Sequence, residues 1–197
     1  MFESETANNL NRKNKIYILS TTAVMTAVTC VLAPMSIPIG PVPISFTNLA
    51  IYLSLYLLGW KMGTVSYLMY LLIGAIGVPV FSGFSGGLGK LIGPTGGYII
   101  GFIPMAIISG LVIEKYHNRI FQFVAMVLGT AVCYALGTAW FCVIMDAGVS
   151  AALGMCVFPF IPGDIAKIIL ALMVGPVLRN RLRKAGFINN GKGERHL

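Results

Sequence analysis

Acidic side chains are scarce: six Asp and Glu among 197 residues, beside 14 Lys and Arg. Charged residues make up 10% of the chain, against roughly 25% in a soluble globular domain. Those that occur are badly spread. Between residues 16 and 178 only Lys61, Lys90, Glu114, Lys115, Arg119, Asp146, Asp164 and Lys167 carry charge. So few charges cannot cover a water-facing surface, which excludes a soluble enzyme and a disordered chain. Histidine occurs twice, His117 and His196, and neither falls in an apolar run. The four cysteines (Cys30, Cys133, Cys142, Cys156) form no CxxC pair and no Cys/His cluster, so a metal centre and a disulfide scaffold are unsupported. They read as free thiols in packing positions. No cofactor motif is present.

What the chain has is long apolar runs, and they describe an all-α membrane protein. The first runs from Ile16 to Ala33. It is too long for a signal-peptide core and lacks a small-residue cleavage site before Pro34. Five more helices are expected: about Phe46–Leu58, Met62–Ile76 after a Gly59-Trp60-Lys61 turn, Tyr98–Ile113, Phe121–Met145 and Asp164–Val177. The division is a tail over 1–15, a six-helix membrane domain over 16–178, and a basic tail over 179–197. Six crossings place both termini on one side. With that side cytoplasmic, the inner segments hold 12 of the 14 basic residues and the outer loops hold Lys90 alone. The net charge of +8 is thereby explained by orientation in a lipid bilayer rather than by nucleic acid.

The same topology gathers three Gly/Pro-rich connections on the outer face: 34–45, 77–97 and 146–163. The middle one stays apolar although it is irregular, as expected of backbone that lines a cavity near membrane depth. The expectation is an outward pocket roofed by loops. Gly89-Lys90 is not part of a phosphate loop, because Phe84 stands where a glycine is needed and Leu91 where Ser or Thr is needed.

Asp164 and Lys167 are the informative pair. Three residues apart, they share one face of the last helix. Asp164 alone reads equally well as an N-cap after Pro162-Gly163. Lys167 does not: a cation in a first turn opposes the helix dipole and is costly at membrane depth. It needs a partner, either Asp164, a carbonyl cluster or an anionic ligand. Asn48, beside Thr47 and Ser45, and Tyr98, after Gly96-Gly97, are further polar candidates at helix starts. Each has an alternative as a packing or interfacial residue. Tyr134 and Trp140 read as packing. Ala23 and Ala27, with Thr22 and Thr26, make a small-residue stripe for close helix approach, either internal or as a dock for another membrane protein. No ATPase motif, inverted repeat or intramembrane Ser/His pair is present, so the chain can bind a solute while the power source lies elsewhere.

Gly40-Pro-Val-Pro-Ile-Ser45, Gly74-Ala-Ile-Gly-Val-Pro-Val-Phe81, Gly93-Pro-Thr-Gly-Gly-Tyr-Ile-Ile-Gly-Phe102 and Phe158-Pro-Phe-Ile-Pro-Gly-Asp-Ile-Ala-Lys167 together resemble the BioY family, the biotin-binding S components of energy-coupling factor transporters. The resemblance spans about residues 16–178. It implies a six-helix, multi-pass protein of a prokaryotic plasma membrane that captures biotin from outside. It also implies partners: a transmembrane coupling protein and two cytoplasmic ATPases. Asp164, Lys167, Asn48, Thr47, Gly96, Gly97 and Tyr98 would then meet biotin, with Ala23 and Ala27 as the docking stripe. Family members usually carry Gln-Thr at positions 47–48. The alternatives are an S component for another vitamin, a carrier acting alone, or a membrane enzyme using Asp164 and Lys167 as acid and base on a lipid-like substrate.

Overall fold

The computed structural model describes residues 2–38 and 42–184, with side chains from Lys15 onward. Gly40, Pro41 and the C-terminal tail beyond residue 184, Lys192 and Arg195 included, lie outside the described residues. The elements in chain order are α1 (Phe2–Leu32), β1 (Ser36–Ile37), β2 (Ile44–Ser45), α2 (Thr47–Ala75), α3 (Leu88–Ile92), α4 (Gly96–Lys115), α5 (Arg119–Met145), α6 (Val149–Cys156) and α7 (Ile161–Lys184). This is a mostly helical membrane protein. Among the described residues, four helices are long and apolar enough to cross a bilayer: Lys15–Leu32 within α1, and all of α4, α5 and α7.

The first helix starts at Phe2, not at Ile16. Charge marks where an apolar run ends, but only Gly or Pro ends a helix by itself. Neither occurs before Pro34. Its threonines bond back to their own helix, Thr22 to the Ile18 carbonyl at 2.8 Å and Thr29 to that of Met25 at 2.9 Å. Thr26 adds a 3.1 Å contact between its Oγ1 and Ser66 Oγ, which joins α1 to α2.

The Gly59 turn interrupts what is otherwise one helical stretch. Gly59 sits at φ 78°, ψ 176°, a conformation open to glycine and strained for any L side chain. The chain reverses there. A Cβ on Gly63 would lie 3.1 Å from Leu55 Cα, whereas residues eight apart in a straight helix are about 12 Å apart. α2 is therefore a hairpin of two arms, residues 47–58 and 60–75. Each arm, at roughly 18 and 24 Å, is shorter than the ~30 Å hydrocarbon core. Glu114, at the end of α4, holds the tip: its Oε2 accepts from the Trp60 amide at 3.2 Å.

Small residues set the contact of α4 with α5. Added Cβ atoms would meet Trp140 from Gly97 at 2.2 Å, the Cys133 sulfur from Gly101 at 3.1 Å, and the Tyr98 ring from Gly137 at 2.3 Å. Close backbone approach at such positions is how membrane helices gain packing without a hydrophobic driving force. The buried centre holds Tyr52, Leu55, Tyr67, Phe81, Met105, Met126 and Ile168. At the bundle end away from the loops, Arg119 donates to the Leu172 carbonyl. That carbonyl has no helical donor because Pro176 stands four residues on.

Other boundaries differ from expectation too: α4 runs Gly96–Lys115 and α7 extends to Lys184. α5 begins two residues early because Asn118 caps it, accepting from the Ile120 amide at 2.9 Å. α7 begins at Ile161, ahead of Pro162, which fits a first turn because its missing N–H needs no acceptor there. Asp164 is therefore inside the helix. Its amide already bonds the Phe160 carbonyl at 2.8 Å, and its carboxylate caps nothing.

Candidate functional site

At the loop end, the first turns of α2, α4 and α7 converge with the middle of α5 on one cavity of about 700 Å³, counted with its open mouth. The ribbon of β1 and β2, with Ser36 opposite Ser45 and Ile37 opposite Ile44, forms one rim. The 77–95 connection forms another. It drives Phe81 to 0% exposure, edge-on to Tyr70 at 5.6 Å between ring centres. Tyr67, Tyr70, Phe81, Ile99, Phe102 and Phe160 give the walls their apolar and aromatic character.

The polar end is built on α7. Asp164 Oδ1 accepts from Asn48 Nδ2 at 2.9 Å and from Lys167 Nζ at 3.0 Å. Its Oδ2 accepts from the Tyr134 hydroxyl at 2.5 Å. Lys167 Nζ also donates to the Ser45 carbonyl at 2.7 Å and stands 5.9 Å from the centre of the Phe46 ring. The two charged residues are 8% and 9% exposed. A buried pair is tolerated only when further hydrogen bonds satisfy both partners, and these four contacts do so. They leave capacity in reserve. A carboxylate accepts at about four positions and an ammonium donates three bonds. Asp164 thus keeps one acceptor site and Lys167 one donor, and both residues line the cavity. An arrangement with one spare acceptor beside one spare donor suits a ligand that carries N–H and C=O together.

Of the residues singled out in the sequence, Asp164, Lys167, Asn48, Thr47 and Tyr98 all line this cavity. Thr47 Oγ1 lies 2.8 Å from Ser45 Oγ, and the Tyr98 hydroxyl lies 3.1 Å from Thr138 Oγ1. Gly96 and Gly97 are not in the wall. A Cβ on Gly96 would stand 1.7 Å from the Leu91 carbonyl oxygen, and one on Gly97 would run into Trp140. Both glycines let α3 and α5 close around the start of α4. Trp140 is a packing residue, donating from Nε1 to the Gly93 carbonyl at 3.1 Å. Ala23 and Ala27 are exposed on α1, while Thr22 and Thr26 face inward.

Tyr134 is a functional candidate that reads as packing in the sequence. A signal for it exists. Thr130, Cys133, Tyr134, Gly137 and Thr138 follow i, i+3, i+4, i+7, i+8 along an otherwise apolar helix, and that periodicity marks one face. The face carries Tyr134 to Asp164, and Thr130 to the Tyr52 hydroxyl at 2.7 Å. Among the described residues, no three of His, Cys, Asp and Glu come together as a metal centre would need.

Three comparisons bear on the site. The model of the BioY family matches residues 6–184. The biotin transporter BioY of Thermotoga maritima is 38% identical over 151 residues, covering 77% of this chain and 89% of the relative. The probable biotin transporter BioY of Pyrococcus horikoshii is 37% identical over 161 residues, covering 82% of this chain and 95% of the relative. A crystal structure of the S-component for biotin from an ECF-type ABC transporter superposes with a TM-score of 0.79 at 32% identity, covering 85% of this chain and 93% of that one.

Proposed function

The chain belongs to the BioY family, and from that premise we propose that it is the biotin-capturing S component of an energy-coupling factor transporter in a prokaryotic cell membrane. The family is one of transporters, so the enzyme reading of Asp164 and Lys167 is set aside. The observation that carries the proposal is the spare polar capacity of the buried Asp164–Lys167 pair at the end of an aromatic cavity. The fused ureido ring of biotin offers two N–H donors and one carbonyl acceptor. Asp164 accepts from a ureido N–H. Lys167 and the second amide hydrogen of Asn48 are the available donors to the ureido oxygen. Thr47 and Tyr98 complete the wall, and the 77–93 segment is the lid.

The topology comes from the same reading. α1, the two arms of α2, α4, α5 and α7 make six crossings, with both termini cytoplasmic and residues 16–178 as the binding domain. Basic residues Lys61, Lys115 and Arg119 then share the inner side with Arg179, Arg181, Arg183 and Lys184. A transmembrane coupling protein and two cytoplasmic ATPases supply the energy. The exposed Ala23/Ala27 stripe of α1 is where the coupling protein docks, since internal packing leaves that face uncovered.

The test is to purify the chain in detergent and identify by mass spectrometry any small molecule that co-purifies, then to titrate biotin into ligand-free protein. Unmodified biotin bound in one-to-one ratio is the expected result. A different vitamin in the cavity would replace biotin in this reading, and biotin uptake in cells without coupling ATPases would replace the dependent S component by a carrier acting alone.

A further inference from the structure

The bundle end away from the loops carries two arginines that solute capture does not use. Pro176 leaves the Leu172 carbonyl without its helical donor, and Arg119, the first residue of α5, donates to it from Nη1 across the gap between α5 and α7. That bond holds the Arg119 guanidinium in place and leaves its other N–H groups free of the helix. Arg179 stands seven residues past Leu172. Seven residues make almost two full turns, so Arg179 lies on the same face of α7, about 10 Å further along. Helical side chains lean toward the amino end, which directs Arg179 back toward Arg119. The residue is half-buried and its Nε is shut in without a hydrogen-bond partner. Its Nη end is therefore the part of the fork that reaches the surface.

Neither arginine meets a carboxylate among the described residues. The carboxylates that could pair with them are engaged or distant. Glu114 accepts from the Trp60 amide, Asp164 belongs to the cavity, and Asp146 follows the far end of α5. Lys61, Lys115, Arg181 and Lys184 are exposed on the same side and add to the positive potential. Cations gathered without a counter-charge repel one another, so this end of the bundle favours an anion from outside the chain. Guanidinium forks match phosphate oxygens in shape and charge. Toward the loop end both helices expose apolar side chains, Val124 and Val127 on α5, Ile169 and Met173 on α7. A phosphate that carries acyl chains uses both features, with its head on the arginines and its chains along the helices. Basic pockets between membrane helices on the cytoplasmic side suit anionic headgroups in this way. We propose that Arg119 and Arg179 form a headgroup site for an anionic phospholipid of the inner leaflet, which ties the foot of α5 to that of α7. This goes beyond solute capture and takes from the reading above only the orientation of the chain in the bilayer.

The experiment is native mass spectrometry of the full chain, released from micelles doped with equal amounts of dioleoyl phosphatidylglycerol and dioleoyl phosphatidylcholine. The reading is the ratio of the two one-lipid adducts. Wild type should favour phosphatidylglycerol roughly tenfold or more, since each basic residue at such a surface is worth about fivefold in affinity. Arg179→Gln should cut the ratio about fivefold, and Arg119→Gln/Arg179→Gln should bring it close to unity. Arg181→Gln removes the same charge from an exposed position and should leave the ratio as it was. Arg179→Gln keeps the bond of Arg119 to Leu172 and decides the matter alone should the double variant not fold. An unchanged ratio in Arg179→Gln overturns the site, and co-purification with the coupling protein lost in that same variant would give the arginine to an acidic group of that partner instead. An equal fall in Arg181→Gln also overturns it, because the attraction is then diffuse. So does displacement of the phosphatidylglycerol adduct by millimolar inorganic phosphate, which would make the ligand a free anion. Biotin affinity should be the same in every variant, so loss of the lipid preference and failure of biotin capture are separate results.

Discussion

Replacing Asp164 by Asn keeps the shape of the side chain and removes its charge, with consequences for both stability and binding. Oδ1 holds Asn48 and Lys167, and Oδ2 holds Tyr134. In Asp164→Asn the ammonium of Lys167 keeps the Ser45 carbonyl and an amide oxygen but loses its counter-charge while 9% exposed. Breaking one side of a buried pair costs about 3–5 kcal/mol, so the ligand-free protein should unfold at clearly lower temperature. Biotin binding should weaken as well. Losing a charged acceptor costs about 1.5–3 kcal/mol, or roughly 10- to 150-fold in affinity. The two effects separate in the double variant Asp164→Asn/Lys167→Met. With both charges gone, no uncompensated ion remains, and neutral replacement of a buried pair is close to neutral for stability. Thermal unfolding should return near the wild-type temperature while affinity, read by calorimetric titration in detergent, stays down. A double variant that regained stability and also bound biotin within about threefold of wild type would refute the reasoning: the pair would be a structural clasp with no part in recognition.

Other perturbations probe neighbouring parts of the molecule. Tyr134→Phe removes the donor to Asp164 Oδ2 while keeping the ring; it should lower the unfolding temperature, by the about 1.5–3 kcal/mol of a hydrogen bond to a charged group, and weaken biotin in the same titration through a less firmly held Asp164. Gly97→Val places a branched side chain where Trp140 Cβ is 2.2 Å from an added Cβ; it should lower the yield of folded protein on size-exclusion chromatography. Leucine at both Ala23 and Ala27 should abolish co-purification with the coupling protein and leave biotin affinity unchanged. Loss of both together would mean that the stripe packs internally.

The legible parts of the fold are those that depend on local chemistry. Gly59 breaks α2 because the turn needs its φ, and no partner is required to see it. Pro34, two positions past the end of α1, stops that helix from continuing for the same kind of reason. The start of α1 is not legible from charge, because charge bounds an apolar run while backbone helicity depends on Gly and Pro. The start of α7 is obscured because Pro162 is compatible with a first turn and Asp164 resembles a cap. In both cases the residue type is right and the role is decided by which hydrogen bonds remain open.

The site divides along the same line. Three-residue spacing is enough to put Asp164 and Lys167 on one face, and membrane cost is enough to require a partner for the cation. The partners themselves come from afar: Asn48 lies 116 positions from Asp164, Tyr134 lies 30, and the Ser45 carbonyl lies 122 from Lys167. Spacing within one helix carries no information about such contacts. Polarity does, because a buried polar atom in an apolar bundle must be answered by another. Asn48 and the Thr130–Thr138 face of α5 could therefore be matched to the α7 charges by requiring every polar group at membrane depth to find its complement. Gly96 and Gly97 give that requirement nothing to act on. They have no side chain to satisfy, and glycines beside an aromatic-rich helix argue for close packing before they argue for a ligand.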